Sequence, residues 1–133
     1  MKFMLMMHCP KNGYESFARW PKKDLQANIA FMIDIDRQLK ATGELLSAEG
    51  LASPQEAKRV HAGPGGEPVT DGAFADSKEY LAGYWIVEVE NPERAYAIAA
   101  QASAAPGPGG APMNMPIEVR QVMSGPPEEL LRS

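Results

Sequence analysis

Cysteine and histidine are scarce in this chain. It has one cysteine, Cys9, and two histidines, His8 and His61. A lone cysteine cannot form an internal disulfide, and histidines so far apart lack the ligand spacing of a metal site. The glycine-rich segments that begin at Gly63 and Gly107 contain proline and lack the spacing of nucleotide-binding loops. We therefore expect no metal and no other cofactor.

The chain also lacks a basic excess and a long apolar run. Thirteen Lys and Arg stand against seventeen Asp and Glu, so the formal net charge is −4. Nucleic-acid binding requires clustered positive charge. The apolar run in MKFMLMMHCP is far shorter than the ~20 residues that span a membrane. We expect a cytoplasmic protein with no nucleic-acid partner and no membrane association.

What remains is the composition of an ordinary globular domain. Hydrophobic residues make up 44% and charged residues 23% of the 133 residues. A chain of this length can bury a core without a disulfide or metal. We predict one α+β domain over residues 1–125 and a short C-terminal tail over residues 126–133.

Hydrophobic periodicity and turn residues predict two helices and several strands. One helix has Pro21 in its first turn and ends at Gly43. Leu25, Ile29, Met32 and Leu39 form its apolar face, and Asp36 lies within that stripe. Asn91 and Pro92 are typical of the start of a second helix, which we expect to end near Ser103. The predicted strands are Lys2–His8, Glu44–Leu51, Lys58–His61, Pro68–Thr70, Tyr80–Glu90 and Ile117–Met123.

This order indicates a ferredoxin-like split βαβ fold with a hairpin inserted before its third main strand. Both helices then cover one face of the sheet. The strands carry apolar residues on both faces, since Ile86 lies opposite Val87, and Phe3, Leu5 and Met7 lie opposite Met4 and Met6. An exposed apolar face of this size is unusual for a monomer, so we expect a homodimer that closes two sheets into a barrel.

Three segments carry a family resemblance: KFMLMMH, VTDGAFADSKEYLAGYWIVEVENPERA and IEVRQVM. Together they resemble the YCII-related family, in the branch marked by a D-G-P-F motif. The resemblance implies a dimeric α/β barrel with a polar-lined cavity, and it implies no single activity. The motif positions that agree are Asp71, Gly72, Phe74, Lys78, Glu79, Gly83 and Tyr84.

Two departures from the family pattern affect what can be transferred. Ala73 replaces the proline of the motif. Family members with a His–Asp pair carry the histidine on the first helix, at a position that corresponds to about Met32, and this helix has no histidine. The His–Asp pair therefore does not carry over to this chain.

Asp71 and His8 are the candidate catalytic residues. A carboxylate in a cavity can act as a general base, although Asp before Gly also caps turns by itself. Histidine titrates near neutral pH and commonly transfers protons, although a histidine at a strand end is often only solvated. Cys9 is a weaker candidate nucleophile.

The candidate substrate-binding residues are Asp36, Lys78, Arg120 and Tyr84. Asp36 interrupts an apolar helix face, where a carboxylate must be paired, pocket-facing or at an edge. Lys78 and Arg120 suit an anionic group, and Tyr84 suits stacking. Each also has a simple structural explanation as a solvated charge or a packed ring.

Two functions follow from these residues, and the sequence does not choose between them. The first is a cofactor-free small-molecule enzyme that uses Asp71 and His8 for proton transfer. The second is a non-catalytic ligand-binding or regulatory dimer.

Overall fold

The computed structural model of the chain describes residues 1–71, 78–123 and 132, and for Asp71 the backbone alone. Three α-helices and six strands lie in this part. The strands are β1 (Lys2–Pro10), β2 (Leu45–Gly50), β3 (Arg59–Ala62), β4 (Pro68–Asp71), β5 (Glu79–Glu88) and β6 (Ile117–Gln121). The helices are α1 (Gly13–Ala18), α2 (Lys22–Ala41) and α3 (Pro92–Ser103).

The main sheet has four antiparallel strands in the order β2-β5-β1-β6, and β3 and β4 form a separate hairpin. This is the predicted ferredoxin-like order with its hairpin insertion. The sheet of the single chain is open. The predicted barrel therefore needs a second chain. No helix in the described residues is long and apolar enough to cross a membrane.

The two long helices begin and end where local sequence signals predict. Asn91 Oδ1 accepts a hydrogen bond from the Arg94 amide at 2.9 Å and caps α3. Pro21 lies at the N-cap of α2, one residue before the predicted first turn. Gly43 ends α2 with φ +79°, a conformation that a side chain disfavours. The short helix α1 was not predicted.

The core lies between one face of the sheet and helices α2 and α3. Leu5, Ile35, Val87 and Ile98 are its largest fully buried side chains. The opposite face of the sheet has no helix packed on it in the described chain. Met4, Met6, Tyr84 and Ile86 lie on that face and remain partly exposed. The apolar side chains on both faces are as predicted.

The predicted buried face of α2 was partly wrong. Leu39 is buried and Met32 packs on the core, but Ile29 is 50% exposed. Asp24 and Asn28 are buried in its first turns instead. These polar side chains face the 104–116 loop and bond to its backbone, since Asn28 Nδ2 donates to Pro106 O and the Gly109 amide lies 3.4 Å from Asp24 Oδ2.

Candidate functional site

The end of β1 carries chemically different side chains on its two faces. Met7 and Cys9 point toward the helices, and Met6 and His8 point toward the uncovered face of the sheet. A bulge in the pairing of β1 with β5 follows Met7, because Met7 pairs with Gly83 while His8 pairs with Leu81. A bulge of this kind changes which face a side chain reaches. Two cavities lie beside this strand end.

The first cavity, which we call the His8 cavity, has a volume of about 540 Å³. It lies between the end of β1, the start of β5 and the segment that follows β2. Its wall includes His8, Leu51, Ser53, Glu56, Glu79 and Leu81. Histidine and two carboxylates give it titratable groups, so this cavity suits a polar or charged small molecule.

His8 lies between this cavity and a carboxylate on β6. Its Nε2 is buried, lies 3.5 Å from Glu118 Oε1 and has no hydrogen bond in the part of the chain described. The contact meets the distance for an ion pair but not the geometry of a hydrogen bond. Arg120 Nε lies 3.7 Å from Glu118 Oε2. The three side chains form a His–Glu–Arg row on the uncovered face.

The second cavity, which we call the methionine cavity, has a volume of about 530 Å³ and lies on the helix side of the sheet. Met7, Met32, Met113 and Met115 supply much of its wall. Phe17 on α1 and Trp20 also line it, with their ring centroids 4.9 Å apart. None of its described lining residues is Asp, Glu, Lys, Arg or His.

Two titratable side chains in the methionine cavity are held in their neutral forms. Burial raises the pKa of the Cys9 thiol, and nearby Glu79 raises it further. Burial also raises the pKa of Tyr80. Because a thiolate is the reactive form of cysteine, Cys9 is a poor nucleophile here.

The predicted site residues occupy several separate places. His8 and Arg120 meet through Glu118. Tyr84 lies on the same face, opposite Met6, and Trp85 points to the helices. Lys78 is exposed just before β5. Asp71 ends β4, and its side chain lies outside the described structure.

Asp36 has a structural partner. Its Oδ1 accepts a hydrogen bond of 2.9 Å from the indole Nε1 of Trp85, which is 7% exposed. Asp36 is not among the described residues that line either cavity. Its predicted role in substrate binding stays a prediction.

Two parts of the site were missed from the sequence. Glu118 lies two residues before Arg120 on an alternating strand, so their shared face was available as a signal. The methionine cavity had no comparable signal, because it forms where α1, α2, α3 and the 104–116 loop meet. Among the described residues, no group of three His, Cys, Asp or Glu side chains lies close enough to hold a metal ion.

The fold and this strand-end site define the chain as a ferredoxin-like α+β protein with cavities beside its first strand. The model of the YCII-related domain matches residues 1–110. The chain therefore belongs to the YCII-related family. No curated protein matches it.

Proposed function

We propose that the protein is a cofactor-free enzyme that transfers a proton to or from a small organic molecule bound in the His8 cavity. The observation that carries this proposal is His8 itself. Its Nε2 is buried without a hydrogen bond and lies 3.5 Å from Glu118 Oε1. Hydrogen bonds of catalytic bases are often long in a free enzyme and shorten when substrate binds.

The remaining roles are proposed from side-chain chemistry, since none of these residues is among the described wall residues of the His8 cavity. Glu118 orients the imidazole of His8, as a carboxylate does beside a catalytic histidine. Arg120 and Lys78 are proposed to attract an anionic group of the substrate, and Tyr84 to contact its apolar part. Asp71 is proposed as a second proton acceptor, on the strength of its motif.

We also propose that the protein is a homodimer. Met4, Met6 and Ile86 form an apolar surface in the middle of the uncovered sheet face. Packing of this surface on a second copy removes it from water and places the two His8 cavities at the edge of the interface.

Light scattering after size-exclusion chromatography tests the dimer. We expect twice the 14.4 kDa mass of one chain. Ile86→Glu should give a folded monomer, because a carboxylate cannot be buried in an apolar interface. Ile33→Glu is the control, since Ile33 is 53% exposed on α2 and should leave the mass unchanged. A monomeric wild-type protein contradicts the proposal.

Deuterium exchange tests the proton transfer. The protein is incubated in D2O with a panel of small ketones and dicarbonyl compounds, and deuterium incorporated at carbon is measured by mass spectrometry. His8→Ala should lower the exchange rate about a hundredfold or more, and Glu118→Gln should lower it less. His61→Ala, on the exposed hairpin strand β3, is the matched control. Exchange that survives in His8→Ala contradicts the assignment.

The second candidate function is a non-catalytic ligand-binding dimer. The specific observation in its favour is the methionine cavity, whose cysteine and tyrosine are held neutral by burial. Compounds that bind the wild-type protein without any exchange at carbon would favour this function.

A further inference from the structure

We propose that the methionine cavity is a second binding site, separate from His8, for a neutral and mostly apolar molecule that carries one hydrogen-bond donor. This inference does not depend on the proton transfer proposed above. It follows from the size of the cavity, the absence of charge from its described wall and one amide oxygen there that has no protein partner.

The size and surface of the cavity fit a small organic ligand. Its volume of about 530 Å³ lies within the usual range for ligand pockets. Four of the eight methionines of the chain line it. Methionine side chains are flexible and polarisable, so such a wall adapts to flat or irregular apolar shapes. Phe17 and Trp20 add aromatic surface.

The lack of charge selects against ionic ligands. No charged side chain lies among the described residues of the wall. Cys9 and Tyr80 stay protonated at neutral pH because burial raises the pKa of each. An ionic ligand in this cavity would have no oppositely charged partner among the described wall residues. Its binding would therefore cost free energy.

Asn28 supplies the specific polar contact. It lines the cavity and is only 7% exposed. Its Nδ2 is already used, since it donates to Pro106 O at 3.1 Å and lies 3.7 Å from Met113 Sδ. Its Oδ1 accepts no hydrogen bond from any described residue. An amide oxygen without a protein partner in the cavity wall favours a ligand that donates one hydrogen bond.

A matched pair of fluorescent dyes tests the charge selection. N-phenylnaphthylamine is neutral, apolar and has one N–H donor, and anilinonaphthalene sulfonate is the same framework with a negative charge. We expect the neutral dye to bind at least about tenfold more tightly, because the sulfonate has no cationic partner in the wall. Equal affinities, or tighter binding of the sulfonate, would overturn the proposal.

Methionine methyl signals locate the bound dye in the wild-type protein. With methyl-labelled methionine, the NMR signals of Met7, Met32, Met113 and Met115 should shift as the neutral dye is added. Met4 and Met6 are internal controls, since they lie on the opposite face of the same sheet. Shifts confined to Met4 and Met6 would place the dye on the uncovered face and overturn the proposal.

The N-methyl form of the neutral dye tests the role of Asn28. It lacks the N–H donor and should bind about fivefold more weakly than the parent dye. Equal binding of the two dyes overturns the donor requirement. Because none of these measurements involves His8, they can fail while the deuterium exchange succeeds, and the reverse also holds.

Discussion

The two cavities share a strand end and differ in chemistry. Their volumes are almost equal, about 540 and 530 Å³. The His8 cavity has histidine and carboxylates in its wall, whereas the described wall of the methionine cavity has no charge. Two adjacent residues, His8 and Cys9, supply one side chain to each. Alternation along one strand therefore places side chains of different chemistry in the walls of two neighbouring cavities.

Leu51 and Tyr80 line both cavities, and the backbone at Gly83 lies close by on the same strand as Tyr80. A Cβ atom on Gly83 would lie 2.9 Å from the backbone oxygen of Glu49 on β2. Glycine is therefore needed where β2, β5 and the bulge beside Met7 meet. This close approach fixes the register that sends Leu81 to the His8 cavity and Ala82 to the methionine cavity.

Gly83→Val should have the largest effect, because it separates β2 from β5 and disturbs both cavities. We expect the free energy of unfolding to fall by about 3 kcal/mol in urea titrations. Gly50→Ala is the control, since Gly50 pairs with Gly83 and a Cβ there meets nothing within 4 Å. Equal losses in both variants would show that the contact with Glu49 does not matter.

Asp36→Ala should leave the indole N–H of Trp85 buried without an acceptor. We expect a loss of about 2 kcal/mol in stability. Asp34→Ala, exposed on the same helix, should change stability by less than about 0.5 kcal/mol. If Asp36 instead binds substrate, as the sequence predicted, Asp36→Asn should weaken ligand binding with little loss of stability.

Met32→Lys should remove the chemical difference between the cavities by adding a cation to the methionine cavity. We expect the affinity ratio of the neutral dye to its sulfonate to move about tenfold toward the sulfonate, as measured by fluorescence titration. Met123→Lys adds the same charge at a residue that is 65% exposed and should leave the ratio unchanged. A shift of equal size in both variants would point to net charge alone.

Glu44→Gln should have the smallest effect and should spare both cavities, since Glu44 lies at the other end of the sheet. Arg94 donates two hydrogen bonds to its carboxylate, at 2.8 and 2.7 Å, which lowers the pKa of Glu44 from 4.5 to about 2. We expect about 1 kcal/mol lower stability at neutral pH.

The stability of the fold should depend on pH through this pair. A lowered pKa stabilises the fold above pH 4.5, and this contribution is lost as the pH falls toward about 2. The wild-type advantage over Glu44→Gln should therefore disappear across that window in acid titrations. An advantage that persists at pH 2 would contradict the assignment.

Much of the fold was predictable because its signals are local. Asn91, Pro92 and Gly43 set helix ends through their own backbone preferences, and alternation in β5 gave the opposite faces of Tyr84 and Trp85. The buried face of α2 was less predictable. Asp24 and Asn28 are buried because a distant loop needs their hydrogen bonds, a fact that helical periodicity does not contain.

In the candidate site too, local sequence signals were predictable and contacts between distant segments were not. His8 was identified from its position at a strand end, and Arg120 from its charge on an alternating strand. Their connection through Glu118 needed the pairing of β1 with β6. Met113 and Met115 reach the methionine cavity only because the loop folds back on Ala105, whose oxygen accepts from the Met113 amide at 2.9 Å.

One NMR titration tests the separation of the two sites most directly. The imidazole signals of His8 and His61 and all methionine methyl signals are followed in a single sample while N-phenylnaphthylamine is added. We expect the signals of Met7, Met32, Met113 and Met115 to shift, and the signals of His8 to stay unmoved until saturation. Shifts at His8 that track those of Met32 would mean that the two cavities act as one site, and would contradict the separation of the two sites.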